Sequence, residues 1–418
     1  MDSVRALWRS LRSLKGNQRA CVVAEPLWAI PYNLFLPFAS VYMAAIGLSD
    51  AQIGTIASLG LAIQFLWGLL SGALVDKFGR RWTLLVFGLL SWTIPCGLWA
   101  LAHGYWYFAV AIAFNSMWRV TGNSYSCLIV EDGDKSLLIH IYTMLNIVAV
   151  VAGFLAPIAG LCIDRFTLVP TMRALYAAAM VLISAKFVVQ FCLSRESAIG
   201  RRRMQECRKQ PILRLALGGW PAFWAALRQR RMLLCLMLMV LTTCFNTIQA
   251  NFWPLFIQAR YGVRDSMLAV FPLVKAAVTL LVYLLVSARI HFHRVRRPLL
   301  MGIGAQGLGL IALLGFLPSA ETALWVVFFS AVCDAFALAL LGPISESLMS
   351  VNIPGEERAR INSLIYAGIL LVSAPAGWIA GQLSEISRVF PLVINLCLVA
   401  AEILVALGIS RSIREEQV

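Results

Sequence analysis

Twelve apolar blocks limit what this chain can become. They run roughly 21–45, 51–75, 82–102, 105–128, 137–163, 172–194, 231–258, 265–289, 298–317, 321–349, 357–383 and 388–410. At about 1.5 Å of rise per residue, each can cross about 30 Å of hydrocarbon as a helix. Inside lipid the backbone must satisfy its own hydrogen bonds, and these runs do not alternate apolar with polar residues. They therefore read as helices and not as barrel strands. Of 418 residues, 60% are hydrophobic and 13% charged, where a soluble domain carries about 25% charged residues. The fold class expected is all-α integral membrane, with twelve transmembrane helices.

The net charge of +15 could point to nucleic acid, but its distribution argues for membrane topology. With the N-terminus in the cytoplasm, 27 of the 35 Lys and Arg residues fall on cytoplasmic segments, 5 on external loops and 3 inside blocks. That is the positive-inside pattern, with both termini cytoplasmic, and it adds attraction to anionic membrane lipids. No nucleic-acid partner is expected. Residues 1–20 read as an amphipathic cytoplasmic arm, with Val4, Leu7, Trp8, Leu11 and Leu14 on one helical face. A disordered basic arm is the alternative. The ten cysteines form no CxxC pair and no metal-ligand spacing, so neither metal nor cofactor is expected.

The charged stretch 195–230 separates six blocks from six. The expected domains are the arm, a bundle over 21–194, a cytoplasmic linker over 195–230 with an amphipathic segment, a bundle over 231–410 and a tail over 411–418. The halves read as distant copies. Asn33 and Pro37 with the later Asp50 correspond to Asn251 and Pro254 with Asp265. Ala156-Pro157 with Gly160 corresponds to Ala374-Pro375 with Gly377. Lys186 lies nine residues before Arg195, as Glu402 lies nine before Arg411.

Between the second and third blocks the chain reads Gly72-Ala73-Leu74-Val75-Asp76-Lys77-Phe78-Gly79-Arg80-Arg81. This resembles the loop between helices 2 and 3 of the major facilitator superfamily of secondary transporters, G-x-L-a-D-r-x-G-R-R. The fifth block, with Gly153, Pro157 and Gly160, resembles the superfamily's antiporter motif, Ala156 replacing one glycine. The resemblance implies two pseudo-symmetric six-helix bundles with a substrate site between them near the midplane. It implies that Gly72, Asp76, Gly79, Arg80 and Arg81 form a conformational latch. It also implies that Gly153, Pro157, Gly160, Pro375 and Gly377 serve helix packing, and that blocks 1, 4, 7 and 10 line the cavity.

Ionisable residues at membrane depth usually face a cavity or a partner. Glu25, Arg119 and Asp334 lie on the implied cavity blocks, and Lys275 on the eighth. Glu25 and Arg119 sit at similar depth, about 6–9 Å from the cytoplasmic face, so they are expected to pair. Lys275 and Asp334 agree in depth within about 3 Å, as a structural pair or as a protonation site with its counter-ion. Lys186 is expected to snorkel to the inner surface; Glu402 has no obvious partner. The expected cavity lining is Trp28, Tyr32, Asn33, Asn115, Trp118, Asn246, Gln249, Asn251 and Trp253, and Phe35, Tyr125 and Phe252 on the same blocks bring the aromatics to seven against five amides. That favours a small amphipathic or aromatic solute.

The function expected is secondary transport across the inner membrane by alternating access, first as proton-coupled export by a monomer. Uptake of a small polar metabolite by symport is the alternative, and a lipid flippase of the same fold the third. No enzyme is expected, because His103, His140, His291 and His293 form no cluster with acids.

Overall fold

The computed structural model describes every residue except 1–13, 15, 132–137, 219, 221–223, 225–227, 286–295, 316–322, 352–357 and 416–418. Most of the amphipathic arm and most of the loop between the eighth and ninth blocks lie outside the described residues. The membrane helices are α1 (Gly16–Ala45), α2 (Asp50–Phe78), α3 (Arg80–Ala100), α4 (Tyr105–Asn115 and Trp118–Val130), α5 (Leu138–Phe154 and Ala156–Phe166) and α6 (Leu168–Leu193). They continue with α7 (Arg230–Tyr261), α8 (Val270–Leu285), α9 (Arg296–Gly315), α10 (Ala323–Val351), α11 (Arg358–Ser373 and Pro375–Ile386) and α12 (Phe390–Glu415). Eleven helices among the described residues are long and apolar enough to span a membrane. The twelfth block is α4, which a turn at Ser116–Met117 divides into two shorter pieces.

The irregularities follow from the residues. Gly47, Gly79 and Gly262 adopt φ of 98°, 84° and 64°, and each ends a helix where a side chain would be strained. Proline breaks α5 at Ala156-Pro157 and α11 at Ala374-Pro375, the matching places in the two halves. In α3 a π-turn at Leu89–Thr93 misaligns the backbone ladder, and the Asn115 side chain donates to the Ser91 carbonyl at 2.8 Å.

The chain forms two compact units. Unit 1 comprises Met1–Leu36, Ile63–Leu155 and Pro170–Gly218; unit 2 comprises Pro37–Ala62, Ala156–Val169 and Gly219–Val418. In unit 1, Trp28 stacks on Tyr32 at 4.5 Å and both meet Trp92 edge-on, while Phe35 packs on Tyr176 at 4.8 Å. In unit 2, small residues set the spacing. A side chain at Gly54 would lie 2.3 Å from the Gly377 carbonyl oxygen, and one at Gly160 2.5 Å from that of Ser266. Asp50, at the start of α2, accepts from Arg388 Nε at 3.0 Å, Arg388 Nη2 at 3.1 Å and Ser384 at 2.6 Å. Leu66, Trp106, Leu161, Trp325 and Leu404 stand more than half exposed. Such faces are a liability in water and the natural surface in lipid.

Candidate functional site

The charged loop between α2 and α3 is knotted to its own unit. Arg80 is 3% exposed. Its Nε lies 3.0 Å from Glu131 Oε2 and its Nη2 2.9 Å from Glu131 Oε1, with Asp76 Oδ1 at 3.1 Å. Glu196 accepts the Arg80 and Arg81 backbone N–H groups, both at 2.9 Å. That is a carboxylate at the positive end of a helix. Arg81 donates to the Phe191 carbonyl at 2.9 Å and stacks 3.8 Å over its ring. Ser197 donates to Glu131 and also caps the linker helix Ala198–Cys207 by accepting the Gly200 N–H at 2.8 Å. Arg203 approaches Asp76 at 4.0 Å. A side chain at Gly79 would strike Met204 at 2.7 Å and Glu196 at 2.8 Å, whereas one at Gly72 would meet only Asn123 Nδ2 at 3.9 Å. The glycine that matters here is Gly79. The partners Glu131, Glu196 and Ser197 escape the sequence reading. Only the S-x-x-G start of a helix just after a charged pair marks Ser197 as a cap.

The intramembrane charges require two corrections. Glu25 pairs with Lys186 and Tyr125, where Arg119 was expected. Tyr125 donates to Glu25 Oε2 at 2.8 Å, and Lys186 Nζ lies 3.8 Å from the same oxygen. Lys186 is 5% exposed and sits 4.7 Å over Tyr125 and 4.6 Å over Phe187. It is a core residue of unit 1 and does not snorkel. Arg119 instead stacks 4.3 Å over Trp118 and donates to Gln64 at 3.0 Å. Equal depth left the azimuth open. Tyr125 follows Arg119 by six residues, which turns it about 120° to the other side of the helix.

Lys275 and Asp334 do meet. Their charged atoms are 2.5 Å apart, with side chains 36% and 12% exposed. Asp334 lies on α10 and Lys275 on α8. Trp253 of α7 adds an indole whose ring centre is 5.9 Å from the Lys275 ammonium. Its ring stands edge-on to Phe271 at 4.9 Å, and Phe271 lies 5.4 Å from Phe328. The Trp253 Nε1 donor is buried without an acceptor. A cation, a carboxylate, an unused donor and an aromatic wall thus occupy one corner of unit 2.

Most other residues expected in the cavity are committed to packing. Trp28 and Tyr32 belong to the aromatic core of unit 1. Asn33 and Asn251 donate to their own helices, at Ala29 and Thr247, both at 2.8 Å. Asn115 serves the π-turn, Trp118 lies beneath Arg119, and Gln249 accepts from Asn395 at 3.1 Å. Asn246 is half-buried on α7. Gly160, Pro157, Pro375 and Gly377 make the breaks and close approaches already described; Gly153 is buried in α5.

The sequence profile of the Major Facilitator Superfamily matches residues 28–409. The chain belongs to that superfamily. Among curated proteins it is 39% identical over 85 residues to a probable 3-phenylpropionic acid transporter of Escherichia coli K12, covering 20% of this chain and 22% of that one. It therefore spans under a quarter of that relative. Among solved structures, the nucleoside transporter NupG (D323A mutant) superposes with a TM-score of 0.72 at 15% identity, covering 94% of this chain and 99% of that one. A POT family transporter in complex with 5-aminolevulinic acid gives 0.70 at 14% identity, covering 97% and 99%. The human organic anion transporter MFSD10 gives 0.61 at 14%, covering 93% and 98%. At such identities the likeness is one of fold: twelve helices in two bundles. Membership of that superfamily makes the protein a membrane transporter and not an enzyme.

Proposed function

We propose that the chain is a proton-linked carrier of a small amphipathic monocarboxylate with an aromatic ring, bound at Lys275, Asp334 and Trp253. The observation that carries this is the part-exposed Lys275–Asp334 pair. One ammonium can hold one carboxylate well. When Asp334 takes a proton it releases Lys275, which is then free for the carboxylate of a substrate, with the Trp253 N–H as a second donor. A charge-assisted contact of this kind is worth roughly twice a neutral one. Phe271 and Phe328 supply an apolar wall. The name of the E. coli relative supports an aromatic acid.

Proton and anion load together in this scheme, so the geometry favours symport and hence uptake over the export first expected. The fifth block's small residues have a sufficient reason in the close approach of Gly160 to Ser266, without a role in export. The Asp76–Arg80–Glu131 network fits a latch that biases one conformation. The positive-inside pattern favours an inner-membrane location with cytoplasmic termini.

The test is accumulation of radiolabelled 3-phenylpropionate in proteoliposomes with an alkaline interior. The wild type should concentrate it against its gradient. Asp334→Asn should lose accumulation yet retain exchange, and Lys275→Gln should lose both. Uphill transport by Asp334→Asn would remove the acid from the mechanism.

A further inference from the structure

The two bundles carry a matching polar contact that differs in one respect. Glu25 stands twelve residues before Pro37, and Thr242 twelve before Pro254. Lys186 and Glu402 are likewise equivalent, each nine residues before an arginine. In unit 1 the contact between α1 and α6 is Glu25 with Lys186. In unit 2 the contact between α7 and α12 is Thr242 with Glu402, the hydroxyl donating to Oε1 at 3.0 Å. The acid has changed helix, and its cation has become a threonine.

Glu402 is 0% exposed, and its Oε2 has no hydrogen-bond partner. None of the ion pairs among the described residues includes it. Among the described residues, the groups near it are uncharged. On α7 they are Thr242 and Cys244, close enough to sense its charge. On α11 Ser373 donates to the Val240 carbonyl at 3.4 Å. On α9 Gln306 precedes Gly307, which packs against Val399 of α12. On α12 itself there is Asn395, whose Nδ2 reaches Gln249 at 3.1 Å. An ionised carboxylate here would stand in an apolar medium with a single hydrogen bond, the arrangement that burial penalises most. The neutral carboxylic acid avoids that penalty.

We propose that Glu402 is a second protonation site of this carrier, separate from Asp334. It is a neutral acid while α7 and α12 pack as they do here, and it can release its proton only when that interface opens to water. Unlike Asp334, it has no cation beside it among the described residues to receive a substrate anion, so its ligand is the proton alone.

The experiment uses the full chain in lipid at neutral pH. Infrared spectroscopy of the wild type should show a carboxylic acid C=O band that is missing in Glu402→Gln. A hydrophobic carbodiimide, which attacks protonated carboxyls, should label Glu402 by peptide mapping and leave Glu25, held by Lys186, unlabelled. Thr242→Lys, which restores the cation present in unit 1, should abolish the band and the labelling. Identical acid bands in the wild type and Glu402→Gln would overturn the proposal. Should the Gln variant fail to fold, Thr242→Lys decides: loss of the acid band supports the proposal, and an unchanged band rejects it.

Discussion

Among the described residues each unit carries one lysine–carboxylate pair at membrane depth, and the two are built differently. In unit 1 the side chains of Lys186 and Glu25 are 7% and 15% exposed, 3.8 Å apart, and walled by Tyr125 and Phe187. In unit 2 Lys275 is 36% exposed and Asp334 12%, at 2.5 Å. A sealed pair cannot exchange partners with a solute, so its work is to hold α1, α4 and α6 together. A pair open on the lysine side can surrender its carboxylate to an incoming one. A lysine and a carboxylate thus make a rivet in one bundle and, in the function proposed, a site in the other, and access separates them.

The largest effect should come from breaking the rivet. Lys186→Met leaves Glu25 buried with only Tyr125, and removal of one partner of a buried pair costs about 3–5 kcal/mol. Folded yield in detergent should collapse, and Lys186→Met with Glu25→Gln should restore much of it. A well-folded single variant with full thermal stability would show that the pair is not a rivet.

Lys275→Gln should do the reverse. Its ammonium is partly solvated and Asp334 can take a proton in the proposed scheme, so melting temperature should fall less than in Lys186→Met, while substrate affinity falls by about 1.5–3 kcal/mol, the worth of a hydrogen bond to a charged group. Ligand-induced thermal stabilisation measures both at once, because ligand bound to the folded state must raise its stability. A large loss of stability with unchanged affinity would exchange the roles assigned to the two pairs.

The smallest effect should come from Arg119→Gln. Its guanidinium stacks on Trp118 and meets Gln64, outside both lysine pairs, so the cost should stay near ~1 kcal/mol. Thermal unfolding of the variant checks this. A collapse comparable to that of Lys186→Met would mean that Arg119 supports the Glu25 cluster after all.

These pairs also show how far the sequence could be read. Apolar block length and the Gly72–Arg81 loop disclosed the helices and the superfamily, because membrane thickness and tight turns leave few alternatives. Lys275 and Asp334 were legible as a pair because equal depth on helices that pack together was sufficient. Glu25 and Arg119 matched in depth as well, but helix rotation turned Tyr125 toward Glu25 and left Arg119 to Trp118 and Gln64. Lys186 was misplaced because a lysine near a helix end snorkels by default, unless a carboxylate on another helix holds it. Asn115 looked like a cavity amide, and its true use depends on a π-turn that no residue pattern in α3 announces. Glu131 and Glu196 lie 51 and 116 residues beyond Arg80, and nothing local marks them as its partners.

The central claim, that Lys275 exchanges Asp334 for a substrate carboxylate as Asp334 takes a proton, predicts a countable event. Purified protein in weakly buffered solution can be titrated with 3-phenylpropionate while a pH indicator follows the bulk. The wild type should take up about one proton per carboxylate bound, and Asp334→Asn should bind with no proton uptake. Tight binding by the wild type without any proton uptake would contradict the exchange.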